Sequence, residues 1–375
     1  MPDPRFLDRA LALAERGRER VSPNPMVGAV VVRGGRVVGE GWHRRAGGPH
    51  AEVEALHRAG ERAKGADLYV TLEPCNHFGR TPPCVDAIVR AGVARVVVAA
   101  RDPNPTVAGG GMGALVRAGI RVVRADAARA RRAEKQNEKF RTWAREGRPF
   151  VLAKWAASFD GRIAAAGGAS RWITGDASRR RALRLREEHD AVLVGAGTVL
   201  TDDPLLTRRL GLNRGGKHWR IVLDGRLRIS ERSKLLADPA GVIVVTSRPE
   251  RSARVRRLVA RGVEVWSLPG DGAGRISVRA LLRRLARRGV TSLLVEGGAE
   301  THGAFFSAGI VDRVAVFLAP RLLGGRSAPA AVGGAGFSLG AGPRLVDVSI
   351  ERVGEDLLLT ARVAARSARR TRRRG

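Results

Sequence analysis

Gly48-Pro-His-Ala-Glu-Val53 opens a helical pattern running from Ala51 to Ala63, and Thr71-Leu-Glu-Pro-Cys-Asn-His-Phe-Gly-Arg-Thr-Pro-Pro-Cys84 begins as the strand Asp67 to Leu72 ends. His50, Cys75 and Cys84 are one imidazole and two thiols, a ligand set that suits Zn²⁺ and leaves its fourth position open for water, as in catalytic sites. Bound zinc lowers the pKa of that water toward 7, and a nearby carboxylate outside the ligand set can carry its proton to a leaving group. Glu52, two residues past His50, is the candidate for that shuttle. Taken singly, each residue has a structural reading as a helix cap or a small buried side chain. Their order and company make them a metal and acid–base constellation. Among the neighbouring histidines, His57 falls mid-helix and is expected at the surface or in packing. His43 and His77 fall in loops better placed for substrate than for metal.

Outward from this stretch, short strands alternate with helices. A helix opens the chain with Phe6, Leu7, Ala10, Leu11 and Ala14 at three- and four-residue steps, and Ser22-Pro-Asn-Pro25 breaks it. Val27–Val32 and Arg36–Glu40 read as a hairpin around Gly34-Gly35, Cys84–Ala91 as a helix and Arg95–Ala100 as a strand. A helix at Met112–Gly119, a strand at Val122-Val123 and a polar helix over Ala130–Glu146 complete a layered α/β domain over 1–146. A hinge at Gly147-Arg-Pro149 leads to a second α/β domain over 147–365. Its strand-like runs are Phe150–Lys154, Ala191–Val194, Arg220–Leu223, Val242–Thr246, Val263–Trp266, Ser292–Val295, Arg313–Leu318 and Leu357–Ala361. Helices are expected between several of them, including Ala177–Glu188 and Val278–Arg288.

The 375 residues carry 68 Lys+Arg against 36 Asp+Glu, a formal net charge of +32. Such a balance ordinarily points to nucleic acid, but the arginines are scattered through every segment, which reads as a compositional habit rather than a binding face. The one cluster is the tail at 366–375, expected to be disordered. No apolar run reaches the roughly 20 residues that cross a bilayer, and the start lacks a signal peptide's apolar stretch, so a cytoplasmic protein is expected. Two cysteines are too few for a disulfide framework.

His-x-Glu followed by Pro-Cys and a second Cys resembles the zinc-dependent base deaminases, although their usual two-residue spacing between cysteines is eight here. With Pro23-Asn-Pro-Met-Val-Gly28, Gly39-Glu-Gly-Trp-His43 and Asp102-Pro-Asn-Pro105, the chain resembles the bifunctional riboflavin-biosynthesis deaminase/reductase family, in which that longer spacing is the usual form. Matching stretches continue at Lys154-Trp-Ala-Ala-Ser-Phe-Asp-Gly-Arg162, Ser170-Arg-Trp-Ile-Thr174, Gly197-Thr-Val-Leu-Thr-Asp-Asp-Pro-Leu-Leu-Thr207 and Glu296-Gly-Gly298, so the likeness covers nearly the whole chain.

This resemblance implies a cytidine-deaminase-like three-layer α/β/α domain followed by a dihydrofolate-reductase-like α/β domain. The first would bind one zinc ion through His50, Cys75 and Cys84 and use Glu52 to deaminate 2,5-diamino-6-(5-phosphoribosylamino)pyrimidin-4-one. Asn24, His43, His77, Arg80, Asp102 and Asn104 would contact that substrate. The second would reduce the ribosyl group to a ribityl chain with NADPH, held by Ala156, Trp172, Thr198, Asp202, Ser247 and Gly298. Ser170, Arg186, Leu206, Arg209 and Glu296 would hold the sugar phosphate substrate, with Lys154 catalytic. No Gly-x-Gly-x-x-Gly follows a strand, which argues against a Rossmann site. Glycine turns at Gly195-Ala-Gly197 and Glu296-Gly-Gly298 still admit a pyrophosphate. Structural alternatives stand beside these roles: a solvated side chain for Arg80, turn formation for Asp102 and Asn104, a salt bridge for Lys154, a loop start for Ser247 and core packing for Trp172. Partners are expected to be small molecules, with neither membrane nor nucleic acid, and the chain to be a homo-oligomer. The competing reading is a tRNA base deaminase with an accessory domain. It is disfavoured by the cysteine spacing, the reductase-like motifs and a chain only 4% aromatic, too poor for a base-stacking platform.

Overall fold

Two glycines on neighbouring strands show how the first sheet is covered. The computed structural model describes residues 2–79, 81–105, 107, 110–211, 218–270 and 275–364; Arg80 and the basic tail lie outside them. Strands β1 (Gly28–Arg33) and β2 (Arg36–Trp42) form the expected hairpin, with Gly28 opposite Trp42 and Ala29 opposite Gly41. Successive strand residues face opposite sides, so Gly28 and Gly41 point to different faces. A Cβ on Gly28 would lie 2.0 Å from the Ala10 carbonyl oxygen of helix α1 (Pro4–Glu15), and one on Gly41 2.3 Å from the Ala51 carbonyl oxygen of α2 (Ala51–Ala59). Helices therefore press on both faces, making three layers. Strands β3 (Asp67–Leu72), β4 (Arg95–Ala100) and β5 (Arg121–Arg124) complete the sheet in the order β2-β1-β3-β4-β5. β3 runs antiparallel to β1, and β3, β4 and β5 are mutually parallel. Helices α3 (Cys84–Arg90) and α4 (Gly110–Arg117) follow the strand ends that carry the candidate site.

The single polar helix expected over 130–146 is two, α5 (Ala127–Gln136) and α6 (Glu138–Glu146), broken at Asn137 with φ −105° and ψ 24°. The Asn137 side chain accepts from the Met26 N–H at 2.7 Å and donates to the Met26 carbonyl at 2.8 Å. A buried amide paired with a distant backbone competes with the helix for that position.

The second unit begins at Phe150. Its strands are β6 (Phe150–Ser158), β7 (Ala191–Gly195), β8 (Trp219–Leu223), β9 (Val242–Thr246), β10 (Glu264–Ser267), β11 (Ser292–Val295), β12 (Arg313–Ala319), β13 (Leu345–Val353) and β14 (Asp356–Val363). Their order is β10-β9-β8-β7-β11-β6-β12-β14-β13. All pairs from β10 to β12 are parallel, and β14 and β13 are added antiparallel. The inner strands read as unbroken apolar runs, Val192 to Val194 and Leu293 to Val295, as parallel strands covered on both faces must. Helices α7 (Asp176–Glu187), α8 (Ala196–Asp202), α9 (Ala253–Ala260), α10 (Val278–Arg287) and α11 (Ala299–Ser307) intervene. Among the described residues, no helix is long and apolar enough to cross a membrane.

His218, just before β8, donates from Nε2 to the Leu206 carbonyl at 3.3 Å. Burial, followed by the charge of Arg208, pushes its pKa down from 6.5 to about 4. The folded state thus binds fewer protons than the unfolded chain between those values, so His218 supports the fold fully above pH 6.5 and loses that support as pH falls toward 4. Denaturant unfolding is expected to show a loss of at most about 3 kcal/mol from this group across the window. An H218Q variant has a flatter profile; an equal slope in both proteins removes His218 as the cause.

Candidate active sites

The α2 amino-terminus, the turn after β3 and the first residue of α3 bring His50, Cys75 and Cys84 together. His50 Nδ1 lies 3.0 Å from Cys84 Sγ and 3.5 Å from Cys75 Sγ, and all three donor atoms fall within 4.8 Å of one another. The Cys84 N–H also donates to Cys75 Sγ at 3.3 Å. The hydrogen bond from the Cys84 thiol, with that of His50, holds Cys75 down to about 4, while the same pairing and burial push Cys84 well up. Two sulfurs and an imidazole nitrogen, linked by shared protons, thus meet in the space of a single cation. This donor set fits zinc, which would displace the shared protons. Glu52 lies outside the three donors, buried at the second position of α2, and burial raises its pKa against the opposing charge of His50.

Thr81 was not singled out by the sequence. Its Oγ1 lies 3.4 Å from His50 Nε2, so the ring can donate there while Nδ1 faces the sulfurs. An outer partner of this kind fixes tautomer and ring orientation. A T81V variant is expected to bind zinc about tenfold more weakly in a chelator competition, with the fold intact; unchanged affinity excludes this role.

His43 is buried and donates from Nδ1 to the Pro49 carbonyl at 2.9 Å, so its Nε2 accepts from Asn24 Nδ2 at 3.0 Å. Burial lowers its pKa, keeping the ring neutral in that role. The arrangement holds the Asn24 amide with its oxygen uncommitted among the described residues. His43 and His50 meet edge to face at 5.4 Å. Asp102 accepts from the Asn104 N–H at 2.8 Å, and burial raises its pKa. His77 stands exposed on the loop between the cysteines, whereas His57 is an exposed helix residue away from the cluster. Arg80 lies outside the described residues.

In the second unit, a cleft of about 1220 Å³ opens where β7, β8 and β11 end. Ala156, Trp172, Thr198, Asp202 and Gly298 line it, as do Lys154, Ser170, Arg186, Leu206, Arg209 and Glu296. Ser247 does not; its hydroxyl donates to the Gly225 carbonyl at 2.8 Å. Trp172 is 63% exposed rather than a core residue, with the Arg179 guanidinium 4.6 Å from its ring centre.

The two glycine turns do not end in open loops: residues 196–198 already belong to α8, and Gly298 caps α11. A Cβ on Gly297 would lie 2.6 Å from Val194 Cα, and one on Gly195 2.4 Å from Thr301 Oγ1. Only glycines let these turns pack so closely. The first residues of both helices line the cleft, a backbone cradle that suits a dinucleotide pyrophosphate.

Arg186 grips Glu296 through Nη2–Oε2 at 2.7 Å and Nε–Oε1 at 3.3 Å and donates from Nη1 to the Thr207 carbonyl at 3.1 Å. Both side chains are nearly buried, 12% and 10% exposed. Burial favours the neutral acid, yet Arg186 and then Lys154 outweigh it and hold Glu296 below its ordinary pKa. Lys154 has its own pKa lowered by burial, opposed by Glu296. Ser170 donates to Asp202 Oδ1 at 3.0 Å, tying together residues expected to touch substrate and cofactor.

Comparison with known proteins agrees over both units. Residues 2–100 match the cytidine and deoxycytidylate deaminase zinc-binding region, and residues 149–359 match the RibD C-terminal domain. The chain is 43% identical over 358 residues to the riboflavin biosynthesis protein RibD of Bacillus amyloliquefaciens, covering 95% of each. Among solved structures, Acinetobacter baumannii RibD matches with a TM-score of 0.86 at 37% identity, over 96% of this chain and 98% of that one. The Thermotoga maritima protein described as a diaminohydroxyphosphoribosylaminopyrimidine deaminase/5-amino-6-(5-phosphoribosylamino)uracil reductase matches with a TM-score of 0.82, at the same identity and coverage. With a cytidine-deaminase-like domain followed by a dihydrofolate-reductase-like one, the chain belongs to the RibD family of riboflavin-biosynthesis proteins.

Proposed function

We propose that this chain deaminates 2,5-diamino-6-(5-phosphoribosylamino)pyrimidin-4-one to 5-amino-6-(5-phosphoribosylamino)uracil and then reduces the ribosyl group of that product to a ribityl chain with NADPH. The observation that carries the reading is the coexistence of a three-donor His50–Cys75–Cys84 cluster beside Glu52 with a separate cleft holding the Arg186–Glu296 pair.

In the first step, water adds at the ring carbon bearing the 2-amino group, the carbon–nitrogen bond breaks, and ammonia leaves as a carbonyl forms. Zinc held by His50, Cys75 and Cys84 would supply Lewis acidity, lowering the pKa of water toward 7. Glu52 takes the proton from water and returns it to the departing nitrogen. Asn24, held by neutral His43, presents an amide to the polar ring, and Asp102 with Asn104 faces the same substrate. In the second step NADPH would supply a hydride to the first sugar carbon of the ring-opened imine, and a proton from water would go to the nitrogen, completing the gain of two hydrogens. Lys154 stabilises the opened sugar as its charge changes, while Arg186 and Arg209 hold the phosphate end.

The same reading makes this a cytoplasmic enzyme with small-molecule partners and no nucleic acid. It also makes the chain a homo-oligomer, supported by edge strand β13, whose Leu345, Val348 and Ile350 are 42%, 54% and 64% exposed. Light scattering that gives a monomer mass removes that last element. For the function itself, the chain is expected to release ammonia from the diaminopyrimidine without NADPH, and to oxidise NADPH only once deaminated product is present. NADPH oxidation driven by the diaminopyrimidine in zinc-free protein overturns the order of steps.

A further inference from the structure

A buried carboxylate two residues before Cys75 has no part in the chemistry above. Glu73 is 3% exposed, at the end of β3, and its own N–H donates to the Ala100 carbonyl at 2.9 Å. Its Oε2 accepts from the Asp102 N–H at 3.2 Å and its Oε1 from the Met112 N–H at 3.1 Å. Those two donors lie at opposite ends of the segment that carries Asp102 and Asn104: Asp102 just after β4, Met112 in the first turn of α4. One side chain therefore staples both ends of that segment to the strand end that presents a metal donor.

The packing around the staple is equally close. A Cβ on Gly111 would lie 1.8 Å from the Pro74 carbonyl oxygen and 3.4 Å from Glu73 Cγ, so the second end can reach the carboxylate only because residue 111 is glycine. Within the stapled segment, Asp102 accepts from the Asn104 N–H, and the Val107 N–H donates to the Asn104 carbonyl at 3.0 Å. Both Asp102 and Met112 are thus anchored on one buried side chain. Each of the two N–H groups has its own oxygen on the one side chain. Closing both ends on one acceptor also removes conformations that would misplace Asp102.

We propose that Glu73 is a positioning residue of the deamination reaction, fixing Asp102 and Asn104 against the substrate by stapling the two ends of their loop to the strand that leads to Cys75. This rests on the deaminase reading above, with Asp102 as a substrate contact. In E73Q one carboxylate oxygen becomes an amide nitrogen, which cannot accept, so one end of the staple is lost while the side-chain shape is kept.

The test is steady-state ammonia release by the full chain with zinc content measured on the same samples. E73Q is expected to raise KM for the diaminopyrimidine about tenfold, the scale of one hydrogen bond, while kcat stays within about threefold and zinc remains stoichiometric. In a D102A background the E73Q change is expected to have little further effect on KM, because the loop has nothing left to position. An E73Q protein with wild-type KM, a fall confined to kcat, or an effect that adds in full to D102A overturns the proposal. Should E73Q lose zinc, M112P decides the matter, since it removes one N–H donor at the start of α4 and leaves Glu73 in place: raised KM supports the staple and wild-type KM overturns it. A wild-type chain that releases no ammonia from the diaminopyrimidine instead rejects the deaminase reading, whatever Glu73 does.

Discussion

An E52Q protein is expected to release ammonia from the diaminopyrimidine about a thousandfold more slowly than the native chain, the loss that accompanies removal of a positioned general acid–base group. The amide keeps the volume of the carboxylic acid but neither takes a proton from water nor returns one to the leaving nitrogen. Zinc is expected to stay bound, because the three donor atoms that meet within 4.8 Å belong to His50, Cys75 and Cys84 and none to Glu52. The second activity is expected to be spared: given 5-amino-6-(5-phosphoribosylamino)uracil, E52Q oxidises NADPH at the native rate. Full deamination by zinc-loaded E52Q removes Glu52 as the shuttle. Loss of zinc together with activity makes Glu52 a structural support of the cluster.

The second large effect concerns Arg186. Its guanidinium grips Glu296 with two hydrogen bonds while both side chains are nearly buried. R186A leaves the Glu296 carboxylate with Lys154 as its remaining nearby cation. Breaking one partner of a buried pair destabilises by about 3 kcal/mol or more, mostly because the other charge stays desolvated. Reduction is also expected to fall about a hundredfold in kcat/KM, since the substrate's phosphate end loses a nearby cation and the Glu296 carboxylate its partner. R186K keeps the charge but not the fork, so it is expected to recover stability better than rate. Ammonia release is expected to be unchanged in both variants. Native reduction by R186A excludes Arg186 from substrate binding, and a parallel loss of deamination shows that the two activities depend on one another.

The metal cluster was legible because it is written locally: His50 and Glu52 share one helix start, and Cys75 and Cys84 flank one loop. The inner strands of both sheets were legible because burial on two faces leaves uninterrupted apolar runs such as Val242 to Val245. What escaped the sequence depends on partners far along the chain. Glu73 acquires its role from Asp102 and Met112, 29 and 39 residues away, and Asn137 breaks a well-formed helical pattern for the sake of Met26, 111 residues back. Thr81 carries no signal beyond lying between the cysteines. Strand β13 has alternating Val346, Val348 and Ile350, but its register slips between Val346 and Ser349, and its apolar side chains are largely exposed at the sheet edge. Ser247, named as a cofactor contact by resemblance alone, has its hydroxyl bonded to the Gly225 carbonyl, which ties the end of β9 to the residues after β8.

The central claim is that one chain carries two successive reactions. It is tested most directly by mass spectrometry of 2,5-diamino-6-(5-phosphoribosylamino)pyrimidin-4-one after incubation with the zinc-loaded protein, with and without NADPH. The account predicts exchange of the amino group for oxygen in either case, followed by a gain of two hydrogens only when NADPH is present. A substrate that gains hydrogens before it loses nitrogen, or that returns unchanged from zinc-loaded protein, contradicts it.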